Sequence, residues 1–137
     1  MIVRFTDTSF FVALLLPGDE HHDRAVELAS AAHGQYVTTC WVLAELGAAM
    51  ANPVDRQVAA DFIAHLRSDT SHRVLAPTLQ QFDDGYRLFN DRPDKSWSLT
   101  DCISFAVMKR RGIREALTAD RHFVQAGFKA LLVESTR

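Results

Sequence analysis

The sequence predicts a single α/β domain built around a parallel sheet, and three observations predict it. Short apolar segments rich in β-formers alternate with helical segments from one end of the chain to the other. Glycine and proline stops fall between these segments, as at Pro17-Gly18, Gly34, Asn52-Pro53 and Gly112. The 137 residues match one domain, residues 1–137, and show no repeat, low-complexity tract or linker.

The elements follow in order. "IVRFT" is a first strand, with Asp7 at its end and a brief helix that Pro17-Gly18 stops. "DEHHDRAVELASAAHG" is an amphipathic helix with acids at its start and Gly34 at its end. "YVTT" is a second strand. "CWVLAELGAAM" is apolar on nearly every side, which predicts a buried helix. A further helix begins at Asn52-Pro53 and spaces Val58, Phe62 and Leu66 by four. "RVLAP" is a third strand. "TLQQFDDGYRLFN" is a helix with Leu79, Phe82, Tyr86 and Phe89 on one stripe. "DRPDKSW" is a loop. "SLTDCISFAVMKRRG" has a capped start, a cationic end and a glycine stop. "EALTA" is a strand, "DRHFVQAG" a short helix and "FKALLV" a last strand.

Composition narrows the function classes. Hydrophobic residues make up 47% and charged residues 23%, the balance of a globular chain with a core that needs no disulfide. The net charge of -2 lacks the basic footprint of a sequence-independent duplex binder, but leaves room for phosphate chemistry at a metal site. Cys40 and Cys102 have no zinc-type spacing and read as buried thiols in a reducing compartment. Asp7 interrupts the one run that resembles a signal peptide, and no stretch approaches the ~20 apolar residues of a membrane span. The expectation is a soluble, cytoplasmic protein with no membrane partner.

Ligands of open parallel sheets bind beyond the carboxyl ends of the strands, and four acids fall there. Asp7 follows strand one and Asp120 follows "EALTA". Glu45 lies two turns into the helix after strand two, and Asp101 sits in the first turn of its helix. If the strands carrying Asp7 and Asp120 are neighbours, their ends lie one strand spacing apart, ~5 Å. Carboxylates that close repel unless a cation separates them. Each acid also has a plain structural explanation. Asp7 and Asp120 fit N-caps, and Asp101 completes a capping box with Ser98. Glu45 is the hardest to explain so, being the only charge in an apolar helix. One shared cause accounts for all four: a hard divalent cation, Mg²⁺ or Mn²⁺. By contrast, the histidines of "DEHHD" (Asp19 to Asp23) point apart on a helix and read as a solvated helix start. "KRR" (Lys109 to Arg111) either holds phosphates or offsets a helix dipole.

The stretches "DTSFFVALL", "WVLAELGAAM", "SLTDCISFAVMKRRG" and "ALTADRHFVQAGF" resemble the PIN domain, and most closely its bacterial VapC-type toxin nucleases. The likeness covers the chain in order. It implies a PIN-like three-layer sandwich with a central, mostly parallel sheet flanked by helices. It implies an acidic set that Asp7, Glu45, Asp101 and Asp120 match by position, with Ser9 supporting the first aspartate. It also implies metal-dependent RNA cleavage, a homodimer and a small antitoxin that blocks the site.

The residues support that chemistry directly. Phosphodiester hydrolysis needs an activated water, charge neutralisation and a stabilised leaving oxygen, and one or two Mg²⁺ ions supply all three. Asp7, Asp101 and Asp120 are the expected metal-holding set, with Glu45 as a further ligand or a group that polarises the water. Lys109, Arg110 and Arg121 are candidate RNA contacts. A covalent route has no histidine placed by sequence to activate Ser9. A haloacid-dehalogenase-like phosphatase would carry a second Asp where Ser9 stands. The remaining alternatives are a non-toxin RNA-processing PIN nuclease and a catalytically silent PIN-fold binding module. The intact acidic set argues against the silent module.

Overall fold

The structure, a computed structural model, describes residues 2–31 and 34–133. The elements are β1 (Val3–Thr6), α1 (Thr8–Leu15), α2 (His22–Ser30), β2 (Gln35–Thr39), α3 (Cys40–Ala49) and α4 (Arg56–Ser68). They continue with β3 (His72–Leu75), α5 (Leu79–Asp91), α6 (Leu99–Arg111), β4 (Glu115–Leu117), α7 (His122–Gln125) and β5 (Lys129–Ala130). The five strands form one sheet in the order β3-β2-β1-β4-β5, and every pairing is parallel. The strand order runs one way from β1 to β3 and then restarts on the other side of β1. Right-handed crossovers therefore put helices on both faces, giving the three layers expected. That reversal also places the switch point between β1 and β4, with Thr6 opposite Leu117.

The core fills both faces. Phe5, Phe11, Leu46, Ile103, Met108 and Phe123 are all at most 2% exposed. Helix α6 is the central pillar: Asp101 to Phe105 are buried in succession, and Gly112 ends the helix in the left-handed conformation. Helix α5 packs against it through Gly85. A Cβ there would lie 2.7 Å from the Ile103 Cα, so the two helices approach too closely for any larger residue.

Several boundaries differ from the sequence reading, for local reasons. Helix α2 starts at His22 because Asp19 first closes a turn, its carboxylate accepting the His21 amide at 2.8 Å. It ends at Ser30; residues 32 and 33 lie outside the described residues, and Gly34 leads into β2. Helix α4 begins at Arg56, after Asn52 has capped a turn by accepting the Val54 and Asp55 amides. Strand β4 stops at Leu117, because the Thr118 hydroxyl and Asp120 turn the chain into α7. The last strand is only Lys129–Ala130. Most of the α5 stripe faces outward, with Leu79 74% exposed, Tyr86 54% and Phe89 45%, while Phe82 packs against Trp41. The helix–helix contact belongs to Gly85, which carried no hydrophobic signal.

Candidate metal centre

Asp7 is the first residue past β1, and its amide donates to the Leu117 carbonyl of β4 at 3.2 Å. It occupies the N-cap position of α1 but makes no side-chain cap bond, so capping does not explain it. Its side chain is held from the β4 side instead. Oδ2 accepts from the Thr118 hydroxyl at 2.8 Å and from the Ser9 hydroxyl at 3.1 Å. Ser9 is fixed in turn by the Ala119 amide, which donates to its Oγ at 2.9 Å. Ser9 thus donates to the aspartate that the resemblance expects it to support. Asp7 is 4% exposed, and burial is the main reason its pKa rises to about 7. The Thr118 bond opposes that rise, while the charges of Asp101 and then Glu45 add to it.

Asp101 is buried in the first turn of α6. The capping box read from sequence is present: the Ser98 amide donates to Asp101 Oδ2 and the Asp101 amide to Ser98 Oγ, each at 3.0 Å. Capping and the acidic cluster coexist in one residue. Burial raises its pKa, the Ser98 bond opposes this, and repulsion from Asp120 adds to the rise. Asp120 Oδ1 accepts the His122 amide at 2.8 Å, which orients its carboxylate at the start of α7. Glu45 is half-buried in the second turn of α3, and its Oε1 accepts from the Thr8 hydroxyl at 2.5 Å. The four acids form one row, Glu45, Asp7, Asp101, Asp120, each electrostatically coupled to the next.

Three residues of this site were missed in the sequence. Thr118 and Thr8 are the hydroxyls that orient Asp7 and Glu45. His122 Nδ1 lies 3.2 Å from both Asp101 Oδ2 and Asp120 Oδ1. The sequence signal for His122 was its position two residues beyond Asp120, on the same turn. Among the described residues, Asp101, Asp120 and His122 are the one group of three whose donor atoms converge, all within 4.8 Å.

The candidate cationic contacts divide. Arg121 is exposed between Asp120 and His122, beside the row. Lys109 and Arg110 sit at the other end of α6, about 12 Å or more along its axis from Asp101. Arg110 is paired there with Asp84 at 2.8 Å. In the "DEHHD" run the ring of His22 bonds the Ala13 carbonyl at 2.7 Å and ties α2 to α1. Cys40 and Cys102 are both free thiols. No helix among the described residues is long and apolar enough to cross a membrane.

The donor set fits a divalent cation. It is oxygen-rich, and among the described residues no lysine or arginine pairs with any of the four acids. Burial, with no cationic partner to offset it, raises the Asp7 pKa to about 7. Fold and site thus define an all-parallel α/β domain with a row of carboxylates gathered at its switch point.

The chain belongs to the PIN domain family, whose match spans residues 4–129. It is 32% identical over 124 residues to the 23S rRNA-specific endonuclease VapC20 of two Mycobacterium tuberculosis strains, covering 90% of this chain and 94% of the relative. The crystal structure of that M. tuberculosis VapC20, a Sarcin-Ricin loop cleaving toxin, superposes with a TM-score of 0.84 at 31% identity, covering 92% of this chain and 95% of the other. Two more distant structures share the fold. A toxin-antitoxin complex from Klebsiella pneumoniae has a TM-score of 0.60 at 14% identity, over 86% of this chain and 87% of that one. VapBC2 from Rickettsia felis, bound to a promoter DNA fragment, has a TM-score of 0.66 at 10% identity, over 94% and 97%.

Proposed function

We propose that this PIN-domain protein is an endoribonuclease that hydrolyses RNA phosphodiesters with a divalent cation, and that it is the toxin of a toxin–antitoxin pair. The observation that carries the reading is the row of four acids at the β1–β4 switch point, in a chain 32% identical to an rRNA endonuclease. Ribosomal RNA is accordingly the first substrate class to test.

Bound at the row, Mg²⁺ or Mn²⁺ supplies charge neutralisation at the phosphate and an acidified water. The chain's own residues do the rest. Asp7, Asp101 and Asp120 hold the cation, and Thr118 and Ser9 fix the direction of the Asp7 carboxylate. Glu45, held by Thr8, accepts a proton from the attacking water at the edge of the row. Arg121 lies where it can meet an RNA phosphate beside the acids, whereas Lys109 and Arg110 would meet only a longer substrate.

Two partners complete the proposal. The exposed α5 row of Leu79, Tyr86 and Phe89 continues into an apolar hollow lined by Trp41, Pro77, Leu79 and Phe82. A second copy of the chain is the proposed cover, giving a homodimer. A small antitoxin is the proposed inhibitor, with an arginine or lysine entering the acid row in place of the cation. Both belong to a cytoplasmic setting.

The direct test incubates purified protein with total cellular RNA, with Mg²⁺ and with excess chelator. Discrete cleavage with Mg²⁺ alone is expected. Undiminished cleavage in chelator overturns the metal mechanism. Growth arrest on expression, relieved by a small adjacent protein, separates a toxin from an RNA-processing enzyme.

A further inference from the structure

We propose that His122 is a further protein ligand, beside Asp101 and Asp120, of the cation that the acid row holds, and that it biases this centre toward transition-metal ions over Mg²⁺. The inference rests on the metal reading above and sharpens it.

The geometry comes first. His122 Nδ1 is 3.2 Å from Asp101 Oδ2 and 3.2 Å from Asp120 Oδ1, and one donor atom from each of the three residues lies within 4.8 Å of the other two. In an octahedron with bonds of about 2.1 Å, neighbouring donors stand ~3.0 Å apart and opposite donors ~4.2 Å. The two 3.2 Å separations are thus close to octahedral edges, and the grouping lets one ion meet a donor from each of the three residues. The ring is held in place by the fold. The His122 amide is anchored on Asp120, and the next residue, Phe123, is fully buried against Phe5 and Phe105. The tautomer with its proton on Nε2 presents the Nδ1 lone pair to the ion.

The chemistry follows from donor type. Mg²⁺ prefers oxygen and gains little from an imidazole, whereas first-row transition ions accept nitrogen readily. A centre of carboxylates alone would separate Mg²⁺ and Mn²⁺ weakly. Replacing one oxygen donor by His122 Nδ1 widens the difference. A ring that merely hydrogen-bonds the two acids would steady them without altering metal preference, so the two roles are separable by measurement.

Mn²⁺ is the probe, because its unbound fraction and its ligand nuclei are both read by electron paramagnetic resonance. Mn²⁺ affinity is titrated directly, and Mg²⁺ affinity by competition, for the wild-type protein, His122→Ala and His122→Gln. Pulsed spectra of the wild-type Mn²⁺ complex should show coupling to a directly bound ¹⁴N, which needs no variant to fold. His122→Ala should weaken Mn²⁺ at least about tenfold and Mg²⁺ by clearly less, lowering the Mn²⁺/Mg²⁺ preference. His122→Gln should not restore that preference. Wild-type Mn²⁺ bound without ¹⁴N coupling, or an unchanged preference in both variants, overturns the role of His122 and leaves the carboxylate centre standing. If the wild type takes up neither ion, the metal reading itself fails, and the His122 inference with it.

Discussion

Thr6 and Asp7 are consecutive residues that enter two different buried environments. The Thr6 hydroxyl lies 2.7 Å from His72 Nε2, and the His72 ring stacks on Tyr36 and packs against Phe11. This region borders a cavity of about 370 Å³ lined mainly by aromatic and aliphatic side chains. Asp7 turns instead to the strand ends, among hydroxyls and other acids. Burial moves both groups away from charge: Asp7 rises to about 7, and His72 falls to about 4. A perturbed titration therefore does not by itself distinguish a functional site from a packed one. What distinguishes them is the company. His72 meets one hydroxyl, aromatic rings and the opposite charge of Asp69, whereas Asp7 meets the like charges of Asp101 and Glu45. Carboxylates gathered this closely repel unless a cation or a shared proton offsets them, which is the basis of the metal site proposed above.

The largest expected effect tests this contrast in activity. Asp7→Asn and Asp101→Asn should each lower RNA cleavage at least about a hundredfold, since metal-supplied charge stabilisation is worth several kcal/mol. His72→Gln should keep cleavage within a few-fold of wild type. Asn retains the bulk of Asp101, so the capping loss should cost only about 1 kcal/mol. Cleavage rates beside thermal melts check all three. If His72→Gln stays folded yet loses cleavage as Asp101→Asn does, the two regions are one site and the contrast fails.

The next effect is on stability against pH in chelator, where the two groups act with opposite signs. Between pH 3.8 and about 7 the folded state keeps a proton on Asp7 that the unfolded chain has released. Stability contributed by Asp7 therefore falls as pH rises through that window. Asp101 is also raised and adds to the fall. For His72 the window runs from about 4 to 6.5, and there the unfolded chain holds the proton that the folded state lacks. Its contribution rises with pH. Wild type should therefore show a shallow fall. Asp7→Asn should gain stability from pH 4 to 6.5, and His72→Gln should lose it from pH 4 to 7. Chemical denaturation at several pH values reads the slopes; the same slope in both variants would remove the opposition.

Metal sharpens the contrast from one side only. Mg²⁺ at a hundredfold excess over its dissociation constant should stabilise wild type by about 2.7 kcal/mol, by mass action. His72→Gln should gain as much, and Asp7→Asn little. Melting curves with chelator and with Mg²⁺ check this, and an equal gain in Asp7→Asn would place the cation elsewhere.

Legibility in the sequence followed the same division. The strand and helix order was readable because each element has its own apolar period and its own stop. The four acids stood out as candidates because a carboxylate beside a buried run is costly and therefore informative. Thr118, Thr8 and His72 were not readable, since a hydroxyl or imidazole carries no such cost signal until its partner is known. Thr118 reaches Asp7 from 111 residues away in the chain, a contact created only by β1–β4 pairing. Most of the α5 stripe misled for a related reason. Periodicity marks a face as apolar, but only the Gly85–Ile103 approach decides which face the neighbouring helix takes.

The smallest expected effect concerns Glu45, at the edge of the acid row. Its charge is the least of the causes that raise Asp7, and it is half-buried, with Thr8 holding one oxygen. Without metal, Glu45→Gln removes a repulsion and keeps an oxygen for the Thr8 hydroxyl. The variant should therefore melt slightly higher than wild type in chelator, by up to ~1 kcal/mol, less than one unit of pKa is worth. With Mg²⁺ the order should reverse, because the variant gains less from the cation than wild type does. Four melting curves carry the test: both proteins, with chelator and with Mg²⁺. A variant that is destabilised in chelator and responds to Mg²⁺ as wild type does would make Glu45 a structural partner of Thr8. The acid row would then end at Asp7, and the water-activating role proposed for Glu45 would have no residue to carry it.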